Sequence, residues 1–166
     1  MTEKPGPGLS KIAQIGMVVK SVDESVRRYW DLLGMGPWAI YTFKPGTVTN
    51  MTVAGKPQEY AMRIAIATIG AVMWELIEPL DDRSIYGEHL RKHGEGLHHI
   101  LFDTEDYGRA MSYFKEKGVA HLQGGKWGPL SYDYLGTEEA LHFIAELYHV
   151  EEGKPLPEPE ATYPPS

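Results

Sequence analysis

The sequence reads as an α+β protein made of two tandem βαβββ half-domains, and three observations predict it. A short apolar, β-branched run followed by an amphipathic helical stretch occurs twice. Matching segments, Met73-Trp74-Glu75-Leu76 and Ile144-Ala145-Glu146-Leu147, each end a series of strand-like runs. A shift of 85 positions lays Gln14 on His99, Ile15 on Ile100, Ser25 on Ala110 and Tyr29 on Phe114. That period is far longer than the 20 to 50 residues of a solenoid repeat, so it implies a duplicated half-domain and not an array.

Taken in order, Ile12 to Val19 predicts the first strand, and Asp23 opens a helix with Val26, Tyr29, Trp30 and Leu33 on one face, closed by Gly34. Trp38 to Phe43, Thr47 to Val53 and Tyr60 to Ile69 have strand chemistry, with turns at Gly46, Gly55-Lys56-Pro57 and Gly70. Ser84 to His93 predicts a helix joining the halves. The second half repeats the plan. His98 to Phe102 is a strand, and Asp106 heads a helix through Ala110, Met111 and Phe114 to Gly118. Val119 to Gln123 and Leu130 to Leu135 are further strands, turning at Gly124-Gly125. The expected divisions are 9–80 for the first half, 81–95 for the connecting helix, 96–152 for the second half and 153–166 for a proline-rich tail.

The 166 residues are enough to bury a sizeable core. With no cysteine in the chain, disulfides, zinc–thiolate sites and cysteine nucleophiles are excluded, and any metal must be held by nitrogen and oxygen. A net charge of −7 and the lack of a Lys/Arg cluster argue against nucleic acid as a partner. Neither a secretory leader nor a membrane-spanning run is evident, so a cytoplasmic protein without a membrane partner is expected. The tail carries Pro155, Pro157, Pro159, Pro164 and Pro165, a composition that favours extended, solvated chain outside the core or strapped onto a partner subunit.

Strand parity singles out four polar residues. Gln14 shares a face with Ile12, Gly16 and Val18, and Glu75 with Met73 and Ile77. His99 shares one with Leu97 and Leu101, and Glu146 with Ile144 and Tyr148. His98 is then expected to face outward. Each residue alone has an ordinary reading: the polar half of an alternating strand for Gln14 or either Glu, a hydrogen-bonded core imidazole for His99. Together they occupy matched positions in the two halves. Buried carboxylates without partners cost several kcal/mol, and a divalent cation would resolve that conflict. One amide oxygen, one imidazole and two carboxylates suit one Zn, Ni, Co, Mn or Mg ion. A single His departs from the two-His-one-carboxylate iron triad, which disfavours redox chemistry and leaves Lewis-acid chemistry open.

At these residues the chain resembles the vicinal oxygen chelate (glyoxalase/bleomycin resistance/dioxygenase) superfamily over about residues 11 to 150. The segments that carry the likeness are Ile15-Gly16-Met17-Val18-Val19-Lys20-Ser21-Val22-Asp23, Trp74-Glu75-Leu76-Ile77-Glu78-Pro79-Leu80, Gly96-Leu97-His98-His99-Ile100 and Ala145-Glu146-Leu147. The first three resemble methylmalonyl-CoA epimerase members. The ligand order Gln14, Glu75, His99, Glu146 resembles glyoxalase I, since epimerase-type members begin with His. The resemblance implies a curved mixed sheet around a central cleft, a homodimer, and a divalent-metal-dependent isomerase or lyase. The implied reaction moves a proton next to a carbonyl through a metal-chelated enediolate, with Glu146 and Glu75 as the acid–base pair.

Trp38, Tyr41, Phe43, Tyr60, Trp74, Tyr132 and Tyr134 are ordinary core filling or, where they line the cleft, the walls for an apolar or aromatic small-molecule substrate. Arg27, Arg28, Arg63 and Lys126 are the scattered cations that folding would have to gather to hold a CoA phosphate. Two other classes stay open: a metal-free small-molecule binding or sequestering protein of the same fold, and a ring-cleaving dioxygenase.

Overall fold

A computed structural model describes residues 6–165. Met1–Pro5, part of the leader argument, and Ser166, the end of the tail, lie outside the described residues. The first half comprises β1 (Leu9–Val18), α1 (Val22–Leu33), β2 (Trp38–Phe43), β3 (Val48–Val53), β4 (Lys56–Pro57), β5 (Met62–Ile69) and β6 (Val72–Pro79). Then come α2 (Ile85–His93), β7 (Gly96–Thr104), α3 (Tyr107–Glu116), β8 (His121–Trp127), β9 (Leu130–Leu135), α4 (Glu138–Leu141), β10 (Ile144–Val150) and β11 (Ala161–Tyr163). No helix among the described residues is long and apolar enough to cross a membrane.

Local chemistry sets the helix ends. The Ser21 hydroxyl accepts from the Glu24 amide at 3.3 Å, so α1 begins just before Asp23, and Gly34 ends it in the left-handed region at φ 63°. Asp106 caps α3 through the Arg109 amide at 2.9 Å, and Ser84 caps α2 through the Gly87 amide at 3.3 Å. Glu78 Oε2 accepts from the Val22 amide at 2.8 Å and ties the start of α1 to β6.

The strands form one mixed sheet in the order β11-β2-β5-β6-β1-β7-β10-β9-β8-β3-β4. This is the α+β fold expected, a curved sheet around a cleft. β2 and β3 lie toward opposite ends of that order yet are joined by residues 44–47 alone, so the sheet must curl until its ends face each other. Across the gap Tyr41 and Phe43 of β2 meet the Trp127 ring at 5.0 and 4.8 Å. The β3–β4 hairpin therefore leaves its own half and pairs with β8 of the other.

Alternation along the strands separates three apolar clusters. Inside the curl lie Val18, Phe43, Met62, Ile64, Ile77, Tyr132 and Ile144, with Ile85 and Tyr86 of α2 closing one end. Outside, α1 buries Val22 and Val26 against Trp38, Ala65 and Leu76, and α3 buries Ala110 against Leu135, Ala145 and Leu147. Full burial of side chains of this size contributes about 1.5–3 kcal/mol each, which makes the inner and outer faces hard to exchange.

The tail is exposed through residues 152–158 but does not stay outside the sheet to its end. β11 pairs antiparallel with β2, Thr162 opposite Ala39, and Glu160 accepts from the Thr42 amide at 3.0 Å and its hydroxyl at 2.9 Å. The tail thereby runs from the end of β10 in one half to the edge of the other.

Candidate metal centre

β6, β1, β7 and β10 are adjacent strands at the middle of the sheet, and each delivers one of the four expected residues. Gly16 stands opposite both Glu75 and His99, while Leu101 stands opposite both Gln14 and Glu146. Cross-strand partners share a face, as do residues two apart on one strand. Gln14, Glu75, His99 and Glu146 accordingly project from two neighbouring rows into the same interior, and all four are buried.

They converge on one atom. His99 Nε2 lies 3.0 Å from Glu146 Oε2, 3.3 Å from Glu75 Oε2 and 3.3 Å from Gln14 Oε1. A ring nitrogen carries at most one hydrogen and cannot satisfy three oxygens. Glu75 Oε2 and Glu146 Oε2 have no hydrogen-bond partner among the described residues. The donor set of one imidazole nitrogen, two carboxylates and one amide oxygen fits a divalent ion, and each of the three oxygens stands within 3.3 Å of the imidazole nitrogen.

Gly16 makes the convergence possible. A Cβ built there would stand 1.9 Å from His99 Cε1, so the imidazole occupies the space a side chain on β1 would fill. Glycine inside a strand is a mark of such close approach, and Gly16 was readable in that sense from its place two residues after Gln14.

His98 departs from the expectation that it faces outward. Gly16 pairs with His99 but Met17 pairs with Leu97, leaving His98 as the extra residue of a β-bulge. The bulge turns it into the interior, where it is 2% exposed and packs on Tyr86 and Tyr134. Its Nδ1 lies 3.0 Å from His99 Nδ1. One of these nitrogens must donate and the other accept. When His99 Nε2 is bare for a metal, its Nδ1–H donates to His98. A second bulge at Ala13 separates Gln14 from Ile12, which is exposed instead of sharing its face.

Burial alone would push His99 down, but the neighbouring Glu146 and Glu75 carboxylates outweigh it and lift the imidazole to about 9. Burial raises Glu146 above the ordinary carboxylate range, opposed by His99 and reinforced by the charge of Glu75. Burial likewise raises the Tyr132 and Tyr134 phenols, which stay neutral.

Gln14, Glu75 and Glu146 line a cavity of about 670 Å³ inside the curl. Its walls are apolar and aromatic, among them Tyr41, Phe43, Trp127, Tyr132, Tyr134 and Tyr148, and Leu156 of the tail forms part of the rim. Trp38 and Trp74 serve the outer cluster under α1 instead, and Tyr60 donates to the Gly124 carbonyl at 2.9 Å within the inner core. No lysine or arginine among the described residues lines the cavity. Arg28 pairs with Glu24, Arg63 with Asp23 and Lys126 with Glu151, and none of Arg27, Arg28, Arg63 and Lys126 lines the cavity.

The model of the glyoxalase/bleomycin resistance protein/dioxygenase superfamily matches residues 13–129. Among solved structures, a variant of Streptomyces coelicolor methylmalonyl-CoA epimerase in complex with 2-nitronate-propionyl-CoA is 25% identical, with a TM-score of 0.63 over 85% of this chain and 97% of that one. A methylmalonyl-CoA epimerase from Mycobacterium tuberculosis shares the fold at 17% identity, with a TM-score of 0.64 over 90% of this chain and 94% of its own. A hypothetical protein from Bacillus halodurans C-125 shares it at 23% identity, with a TM-score of 0.65 over 86% and 95%. No curated protein matches the sequence.

Proposed function

The chain belongs to the glyoxalase/bleomycin resistance protein/dioxygenase superfamily, and from that premise we propose that it is a divalent-metal-dependent isomerase or lyase moving a proton next to a carbonyl. The observation that carries the reading is the convergence of Gln14, Glu75 and Glu146 on His99 Nε2 at the floor of an apolar cavity, with two carboxylate oxygens left without donors. A bound Zn, Ni, Co, Mn or Mg ion would supply Lewis acidity that polarises the substrate carbonyl and acidifies the neighbouring C–H.

The chain's own residues supply the rest. Glu146, whose carboxyl burial raises, takes the proton from carbon. Glu75, brought in from β6 on the other side of His99, returns it; the two exchange roles for the opposite stereochemical sense. His99 is held in place by the bulge and by Gly16. The aromatic walls exclude water, which lengthens the life of the carbanionic species against stray protonation.

The neutral lining favours a substrate with an apolar or aromatic body. The similarity to an epimerase solved with a CoA ligand supports a thioester as a second reading. In that case the CoA phosphates must find cations outside this cavity. A homodimer follows from the family resemblance, and the exposed Leu32 and Leu33 at the end of α1 offer apolar surface for it.

The test is elemental analysis of dialysed, untagged protein combined with a screen for solvent deuterium uptake at carbon acids beside carbonyls, for wild type and Glu146→Gln. One divalent ion per chain and exchange slowed by roughly 10²–10⁴-fold in the variant are expected. No metal retained or taken up would replace this reading with a metal-free binding protein. Activity that requires oxygen would replace it with a dioxygenase.

A further inference from the structure

A second set of nitrogen and oxygen donors lies on α2, away from the cavity. His89 and His93 stand one helical turn apart on one face, with ring centroids 5.0 Å apart. Glu138 on α4 approaches them from the other half, its Oε1 3.7 Å from His93 Nε2. One donor atom from each of the three residues lies within 4.8 Å of the other two. The cations beside them are engaged elsewhere: Lys92 with Glu88, and Arg91 with Asp82 at 3.4 Å.

We propose that His89, His93 and Glu138 form a second metal site, selective for zinc and its imidazole-binding neighbours cobalt, nickel and copper. Two imidazoles from successive turns of one helix and a carboxylate from another segment make a three-ligand set with room for water at the remaining position. His89 is buried and supplies the fixed ligand. His93 and Glu138 are 53% and 50% exposed, so their side chains are free to close the remaining distance of about 1 Å to ligand–ligand contact. Magnesium and manganese, which favour oxygen-rich sites, are disfavoured by the two imidazoles.

Such an ion would cross-link α2 to α4. It would also fix the ring on which His98 rests, since the His89 and His98 centroids are 5.1 Å apart. The site has no residue in common with the cavity cluster, and its existence does not depend on the function proposed above.

The experiment is zinc titration of the metal-free full chain in excess magnesium, for wild type, His93→Ala, Glu138→Gln and a Glu75→Gln/Glu146→Gln double variant. Both surface substitutions remove exposed side chains and leave the core intact. The expected result is a zinc equivalent that survives in the cavity double variant. His93→Ala should weaken it by at least the 10- to 100-fold that losing even an outer partner of a ligand costs. Cobalt added to the cavity double variant should broaden the His89 and His93 imidazole resonances. The proposal is overturned if the cavity double variant binds no zinc, or if His93→Ala and Glu138→Gln both bind zinc as wild type does.

Discussion

The His99 imidazole lies in the volume that a side chain at Gly16 would occupy, with 1.9 Å between His99 Cε1 and the position of a Cβ. The two residues are also direct cross-strand partners on β1 and β7, so neither strand can shift to relieve a clash without breaking register. A strand glycine is ordinarily a weakness. Here it is the space on which the convergence of the other ligands depends.

Gly16→Ala should therefore destabilise the protein although alanine suits a strand better. Forcing a methyl into a packed site costs about 1–3 kcal/mol, and the larger effect should be on metal affinity, because the imidazole must rotate away from Glu75 and Glu146. Urea unfolding and a metal titration on the same sample check both effects. Wild-type affinity in Gly16→Ala would dissociate His99 from the site.

Glu146→Gln should have opposite effects with and without metal. In the metal-free protein burial raises the Glu146 carboxyl above the ordinary range, so its ionised form opposes folding at neutral pH and the variant should be more stable. In wild type, metal at a hundred times its dissociation constant should stabilise by about 2.7 kcal/mol, and the variant should lose most of that gain. Thermal melts with chelator and with added zinc give both numbers. A metal-free variant less stable than wild type would instead mark the Glu146–His99 contact as a structural ion pair.

Asp81 should govern part of the acid limb of stability. Burial pushes its carboxyl up, but hydrogen bonds from the Arg83 side chain and from the Arg83 and Ala61 amides together hold it below the ordinary value of 3.8. A group depressed in the folded state contributes stability above its unfolded value and loses it as pH falls through the folded one. Asp81→Asn should then flatten the loss of stability below about pH 4 and lower stability at neutral pH. Urea midpoints measured down the pH scale test the sign.

Glu160→Ala should loosen the tail without unfolding the core. Its carboxylate holds both the amide and hydroxyl of Thr42 at an exposed edge, a contribution of about 1 kcal/mol. Release would withdraw Leu156 from the cavity rim. Faster amide exchange in β2 and stronger binding of an apolar dye to the variant are the expected readings; unchanged exchange at Ile40 and Thr42 would assign the strap no such role.

Much of this was legible in the sequence, for reasons that also mark its limits. The inward projection of Gln14, Glu75, His99 and Glu146 follows from strand parity and from their matched places in the two halves. The inward turn of His98 does not, because a bulge is a property of the β1–β7 pairing and leaves no trace in a single strand's alternation. The crossing of β3 to β8 was hidden for a related reason: periodicity says which face is apolar, not which neighbour will pair. In the tail, prolines argued for solvated chain, while the three residues Ala161–Tyr163 that pair with β2 are too short a run to register as a strand.

A sheet that curls without closing keeps two edges, each able in principle to recruit another copy into a growing ribbon. Here one edge ends in the three-residue β11, flanked by Pro159 and Pro164, and the other in the two-residue Lys56–Pro57. Both terminal strands are brief and bordered or interrupted by a residue without an amide hydrogen. The protein can thus keep its interior open to a small molecule while its rims resist polymerisation.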